Sequence, residues 1–271
     1  MPSIESKQPD DAVLKVATGG GFVPVELSLA ELPTFVLYAD GRVITQGPQI
    51  MIFPGPALPS VVVRKLSRDG IERVLETAAG AGLTGPDRNL DHAARFVADA
   101  PTTTFTFSTD DGAHETSVYA IDFVSEIEGL SAAEREEVAR LLNLKSFLED
   151  LEGRLPEGSV SSDEIYRPEE MRLYVTPHVT IPPEPDPASP EGTAPAPEPE
   201  QPPVAWPLPG TLAEFGSPSL PEGFRCGTVT GSDLEAVLEA AGRANQQTPW
   251  TSGGSSYRVV FRPLLPDESG C

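Results

Sequence analysis

The stretch PPEPDPASPEGTAPAPEPEQPP, residues 182–203, decides how the rest of the chain must be read. It holds ten prolines and five carboxylates, with no lysine or arginine. Its only apolar side chains besides proline are alanines, so it has too little to bury to offset the entropy of becoming ordered. Proline also fixes φ and removes a backbone donor, which excludes a helix interior or a central strand. Residues 12–181 before it carry the patterning of a core-forming α+β body, and residues 204–271 after it are short and contain both cysteines. The segment is therefore either an acidic linker between two domains or an excursion from the surface of one.

Upstream, residues 1–11 read as a loose, disordered acidic tail. Ala12 to Thr18 (AVLKVAT) alternates apolar and polar side chains, as a half-buried strand does. Gly19-Gly20-Gly21 ends it. No Lys-Ser/Thr pair or GxGxxG pattern follows, and no helix is expected to open behind the glycines, so they read as a turn or bulge and not as a phosphate loop. Thr34 to Tyr38, Asp40-Gly41 and Arg42 to Thr45 form the clearest hairpin signal, because Asp-Gly supplies the positive φ that a tight turn requires. The apolar run Gln49 to Phe53 lies in a Pro/Gly-punctuated stretch, 46–59. It is expected to be buried, as a short edge strand or a packed loop; exposed, it would be a contact site. Ser67 reads as the N-cap of a helix carrying Ile71, Val74, Leu75, Ala78 and Ala79 at helical spacing, with Gly82 closing it. Asp87 to Asp99 reads as a short helix or an ordered loop.

A second hairpin follows: Thr102 to Ser108, a turn at Asp110-Asp111-Gly112, and Glu115 to Ile121, with Phe105 and Phe107 sharing one face. Ser131-Ala132-Ala133-Glu134 fits a capping box ahead of an amphipathic helix. A hairpin followed by a Ser-capped helix thus occurs at 34–82 and again at 102–152, either as an internal duplication or as ordinary α+β construction. Met171 to Ile181 reads as a further strand, with Pro177 near its end.

Beyond the proline-rich stretch come Trp206-Pro207-Leu208-Pro209, a strand at Arg225 to Thr230, a capping box at Ser232 to Glu235 opening a helix, and a strand at Tyr257 to Phe261. This βαβ-like unit is too small to be comfortable alone. Either a disulfide supports it or its strands join the main sheet, and joining is the expectation. The fold class is α+β: an antiparallel sheet built from two hairpins plus added strands, with two or three helices mainly on one face.

The chain has two cysteines, Cys226 and Cys271. A disulfide between them closes a loop of roughly 45 residues, worth about 4 kcal/mol by chain entropy, and belongs to an oxidising compartment. Against this, the opening MPSIESKQPDD has no basic region followed by an apolar run, so the chain as written carries no secretory signal. With 41 acidic against 19 basic residues, the net charge of −22 argues against nucleic acid and anionic membranes as partners. No apolar run is long enough to span a membrane.

Catalytic and metal signatures are absent. The three histidines, His92, His114 and His178, have no ligand spacing among them, no CxxC occurs, and GxSxG is missing. Asp110-Asp111-Gly112 is too short for a calcium loop. No cofactor, metal or catalytic residue is therefore assigned. Aromatic and arginine side chains collect near the C-terminus, and Trp206, Trp250, Tyr257 and Arg258 are the candidate binding surface, the alternative being that the tryptophans anchor a small core.

The motifs GGGFVP (19–24), LYADGRVI (37–44), WPLP (206–209), TPW (248–250) and RPLLPDE (262–268), with the closing Cys271, run through nearly the whole chain outside the proline-rich segment. In these the chain resembles a group of uncharacterised, predominantly actinobacterial proteins of secreted or lipoprotein-like character. The resemblance implies an extracytoplasmic location and transfers no functional residue. The reading that results is a non-catalytic envelope or secreted protein, a monomer with a protein or carbohydrate partner at the cell surface. Its competitors are a hydrolase whose Ser/His/carboxylate site is dispersed in sequence, signalled by His92 or His114 in a pocket beside a carboxylate, and an inhibitor-type module that inserts the rigid loop 48–59.

Overall fold

The computed structural model describes residues 2–50, 52–126, 128–179, 201–219 and 221–271. Most of the proline-rich stretch, up to residue 200, lies outside the described residues. The chain is α+β and divides into two compact units, each with its own sheet and core. The first comprises Met1–Gln49, Ser60–Arg167 and Leu265–Glu268; the second comprises Ile50–Pro59, Pro168–Leu264 and Ser269–Cys271.

In the first unit the elements run β1 (Ala12–Gly19), α1 (Val25–Ala30), β2 (Phe35–Tyr38), β3 (Arg42–Gln46), β4 (Val61–Lys65), α2 (Arg68–Gly80), β5 (Arg88–Leu90), β6 (Thr102–Thr109), β7 (Gly112–Tyr119), α3 (Ala132–Glu149), α4 (Leu151–Arg154) and β8 (Glu164–Ile165). They build an eight-stranded sheet in the order β5-β7-β6-β1-β2-β3-β4-β8. Both hairpins form where the sequence places them. Gly41 adopts φ 89° in the first turn, and Thr109 pairs with Gly112 across the second. The hairpins flank β1, which pairs antiparallel with β2 on one side and β6 on the other.

Helices α2 and α3 cover one face. Val74, Leu75 and Ala78 of α2 and Val138, Leu141, Leu144 and Leu148 of α3 share a core with Val16, Phe35, Leu37, Phe105 and Phe107. Both helices start as their sequences dictate. The Ser67 side chain accepts from Gly70 N, and Ser131 with Glu134 completes a reciprocal capping box, a device worth about 1 kcal/mol. The opposite face carries a smaller cluster of Leu32, Val36, Tyr38, Ile44, Val61 and Leu265. All four residues of β2 are buried, so the continuous run FVLY is what a strand covered on both faces requires.

The second unit contains β9 (Glu170–Pro177), β10 (Val204–Ala205), β11 (Ser217–Ser219), β12 (Phe224–Thr230), α5 (Gly231–Ala241), β13 (Trp250–Ser252) and β14 (Ser255–Pro263). Its six-stranded sheet has the order β10-β13-β14-β9-β12-β11. Strands β12 and β14 are both antiparallel to β9 and lie on either side of it. They therefore run parallel to each other, with α5 as the crossover and β9 inserted between them. Leu234, Val237, Ala240 and Ala241 of α5 pack with Met171, Leu173 and Val175 of β9. The cysteines form a Cys226–Cys271 disulfide that ties β12 to the chain end.

Four expectations change. The C-terminal strands do not join the main sheet; they take β9 away from it, so the unit boundary falls at Arg167/Pro168 instead of the proline-rich stretch. Residues 2–11 are not a loose tail: the Asp110 carboxylate accepts from Ser3 Oγ, Glu5 N and the backbone and hydroxyl of Ser6. A helix does follow the three glycines, the six-residue α1, capped by Pro24. The capping box at Ser232 is not made, because α5 begins at Gly231 directly after β12 and Ser232 is consumed in its first turn.

Replacing both cysteines by serine is expected to lower the stability of the second unit by about 4 kcal/mol. Chemical denaturation followed by the fluorescence of Trp206 and Trp250, which lie in that unit, measures the change.

Candidate functional site

The C-terminal aromatic residues are where the two readings of the sequence part. Trp250 is 1% exposed and Tyr257 9%, and they face each other across β13 and β14. Trp250 packs edge-on against Phe261 at 5.4 Å and Trp206 at 5.9 Å, and Trp206 in turn meets Phe215 at 6.1 Å. Such edge-to-face stacks hold a core together. Trp250 and Tyr257 therefore offer no surface, Trp206 is half-buried against them, and Arg258 donates from Nε to His178 Nδ1 at 3.4 Å. The three aromatic residues of the expected binding patch belong to the core of the second unit, and Arg258 lies half-buried outside it.

The loop 48–59 shows the reverse. Ile50, Ile52 and Phe53 are 66%, 59% and 76% exposed, against the expectation of burial. The later half of the loop is fixed in the second unit. Ala57 N donates to Ala244 O, Gln246 N donates to Gly55 O, Pro56 bridges Asn245, and Ala57 and Leu58 pack against the core. The proline-rich half supplies the anchor, which leaves Ile50, Ile52 and Phe53 presented to solvent on a segment, 48–59, without a charged residue.

In the first unit, the face away from α2 and α3 carries a cleft of about 390 Å³ lined by Lys7, Asp11, Ala12, Lys15, Thr106, Ser108 and Asp267. Asp267 is held by two donors: the Tyr38 hydroxyl at 2.7 Å and the Lys15 ammonium. Burial, reinforced by the bond to Asp267 and its charge, pushes the Tyr38 phenol well above its ordinary value. Tyr38 is thus a fixed donor and not a base. Asp11 Oδ2 accepts from Gln8 N at 2.8 Å. The cleft escapes a sequence reading because its residues come from the supposed tail, from two strands and from the chain end. The one legible signal is a tyrosine in the all-buried FVLY run, whose hydroxyl must find an acceptor.

A second cavity, about 220 Å³, lies on the helix-covered face. Val16, Phe35, Val43, Leu148 and Leu151 give it an apolar lining, and Arg64 and Lys145 also line it. Both cations are paired, Arg64 with Asp163 and Lys145 with Asp122 and Glu149.

Neither of these two cavities is lined by a histidine. His92 sits beside carboxylates, 3.4 Å from Glu134 and 3.3 Å from Glu137, with Arg95 on Glu134 and Arg88 on Glu137. Hydrogen bonds from the Ser131 backbone and hydroxyl, with Arg95, hold the Glu134 carboxyl down to about 2. The network orients the start of α3. Among the described residues no group of His, Cys, Asp or Glu is arranged to hold a metal ion, and no helix is long and apolar enough to cross a membrane. Comparison of the chain with protein-family models, curated proteins and solved structures finds no match.

Tyr38→Phe is expected to cost roughly 1.5–3 kcal/mol at neutral pH, the range for a hydrogen bond to a charged acceptor. A raised phenol pKa favours the folded state fully below the ordinary tyrosine value of about 10 and loses that contribution as pH climbs above it. The stability gap between wild type and Tyr38→Phe should therefore narrow at alkaline pH, which urea titrations at successive pH values measure.

Proposed function

We propose that this protein is a non-catalytic, extracytoplasmic binding protein that engages a protein partner by inserting the loop 48–59 into an apolar cleft. The observation that carries the reading is the division of that loop into an anchored base and a solvent-facing tip. Exposed large apolar side chains grouped on one segment are a cost to a soluble protein unless a partner covers them. Anchoring the base limits the ordering entropy lost on binding, which is how rigid loops gain affinity. The acidic chain favours a partner whose cleft is rimmed by basic residues.

The disulfide supports the location, since such bonds persist in oxidising compartments. The likeness to secreted and lipoprotein-like actinobacterial proteins belongs to the same reading. The hydrolase alternative loses its main support, because the His92 carboxylate pairing is part of an ion network at a helix start.

A photo-crosslinking amino acid placed at Phe53, with a control at exposed Glu169, tests the reading on intact producing cells. A defined adduct from position 53 only is expected. With the purified partner, the variant carrying Ile50→Ser, Ile52→Ser and Phe53→Ser should keep its fold and bind at least about 100-fold more weakly, as loss of a hot spot does. Equal labelling at both positions, or undiminished binding by the triple variant, would overturn it.

A further inference from the structure

The cleft in the first unit is assembled from both ends of the chain. Lys7 and Asp11 come from the N-terminal segment that Asp110 pins, and Asp267 comes from the C-terminal segment that Tyr38 and Lys15 pin. Its lining is electrically balanced, with Lys7 and Lys15 against Asp11 and Asp267. The only apolar side chain in it is Ala12.

The four charges are not equally committed. Lys15 and Asp267 satisfy one another. The half-buried Lys7 ammonium has no carboxylate within ion-pair distance among the described residues, in a chain where acidic residues outnumber basic ones 41 to 19. Asp11 uses only Oδ2, in its bond from Gln8 N. The Thr106 and Ser108 hydroxyls make no hydrogen bond among the described residues. The residues that line this space of about 390 Å³ thus carry one free ammonium, one free carboxylate oxygen and two hydroxyls.

That set selects by charge. A multiply charged anion would meet the Asp11 and Asp267 carboxylates, and a polyamine would meet the two lysines. An apolar molecule would leave the lining charges without partners. A ligand carrying one charge of each sign complements the lining.

We propose that this cleft binds a small zwitterion, a free amino acid or dipeptide, through its terminal charges. The ligand carboxylate lies against Lys7 and the Thr106 and Ser108 hydroxyls, and its ammonium lies against the free carboxylate oxygen of Asp11. The volume falls in the lower part of the range for small-molecule sites. This site is independent of the loop 48–59, so either reading can fail without the other.

The test is a titration of the disulfide-intact, isotope-labelled full chain with glycylglycine, followed by amide chemical shifts. Shifts confined to residues around Lys7, Asp11, Lys15, Thr106, Ser108 and Asp267 are expected, saturating in the millimolar range. N-acetylglycylglycine, which lacks the ammonium, and glycylglycinamide, which lacks the carboxylate, should each bind at least about tenfold more weakly. Lys7→Gln and Asp11→Asn should weaken glycylglycine binding to the same degree while leaving the remaining spectrum in place. Equal binding of either blocked dipeptide, binding of glucose in preference to the dipeptide, or no shift up to about 50 mM ligand would overturn the proposal.

Discussion

In the first unit, one hydrogen bond ties the C-terminal segment to the sheet, from the Tyr38 hydroxyl to the Asp267 carboxylate. Tyr38 is fully buried, and a buried hydroxyl left without an acceptor costs about 1–3 kcal/mol. The acceptor lies 229 positions away in sequence. Once Asp267 is in place, its neighbours follow. Leu265 completes the small cluster on the outer face, Lys15 balances the carboxylate, and Glu268 turns back to accept from Leu265 N. The chain end is therefore part of the folded body. Within the second unit, Arg172 donates to Gly270 O at 2.6 Å, and Cys271 is bonded to Cys226.

The second unit rests on β9. Placed between β12 and β14, it lets a short crossover unit build a six-stranded sheet with an aromatic core. Without it the residues after 200 would have two parallel strands with nothing between them. The small size that makes this unit doubtful as an independent fold is resolved by borrowing a strand from before the proline-rich stretch, with the disulfide as a second support.

Local chemistry made much of this legible in the sequence. Asp40-Gly41 announces its hairpin, Ser67 and Ser131 announce their helices, and alternation in TTTFTFS orients Phe105 and Phe107 inward. What sequence periodicity does not encode is which sheet a strand joins. MRLYVTP reads as a strand, but nothing local says that its neighbours lie 50 to 92 residues later. The loop 48–59 misleads for a similar reason. Apolar composition suggests burial for QIMIF, while the anchoring bonds are made by Gly55 and Ala57 behind it. The tail misleads in the opposite sense: polar residues 2–11 bury little, yet Asp110 holds them through backbone and hydroxyl donors. The aromatic cluster was legible as composition only, since tryptophan serves cores and interfaces alike.

These constraints put both proposed sites in places that carry no motif. A loop with a fixed base presents Ile50, Ile52 and Phe53, and the two chain ends line a polar cleft. The cleft requires that the C-terminal residues be integral to the fold. Native-state hydrogen exchange tests that most directly. The amides of Leu264 and Glu268 are bonded to Glu170 O and Leu265 O. They should exchange far more slowly than free chain and lose protection only with the sheets themselves. Exchange of both at the rate of unstructured peptide would contradict the account.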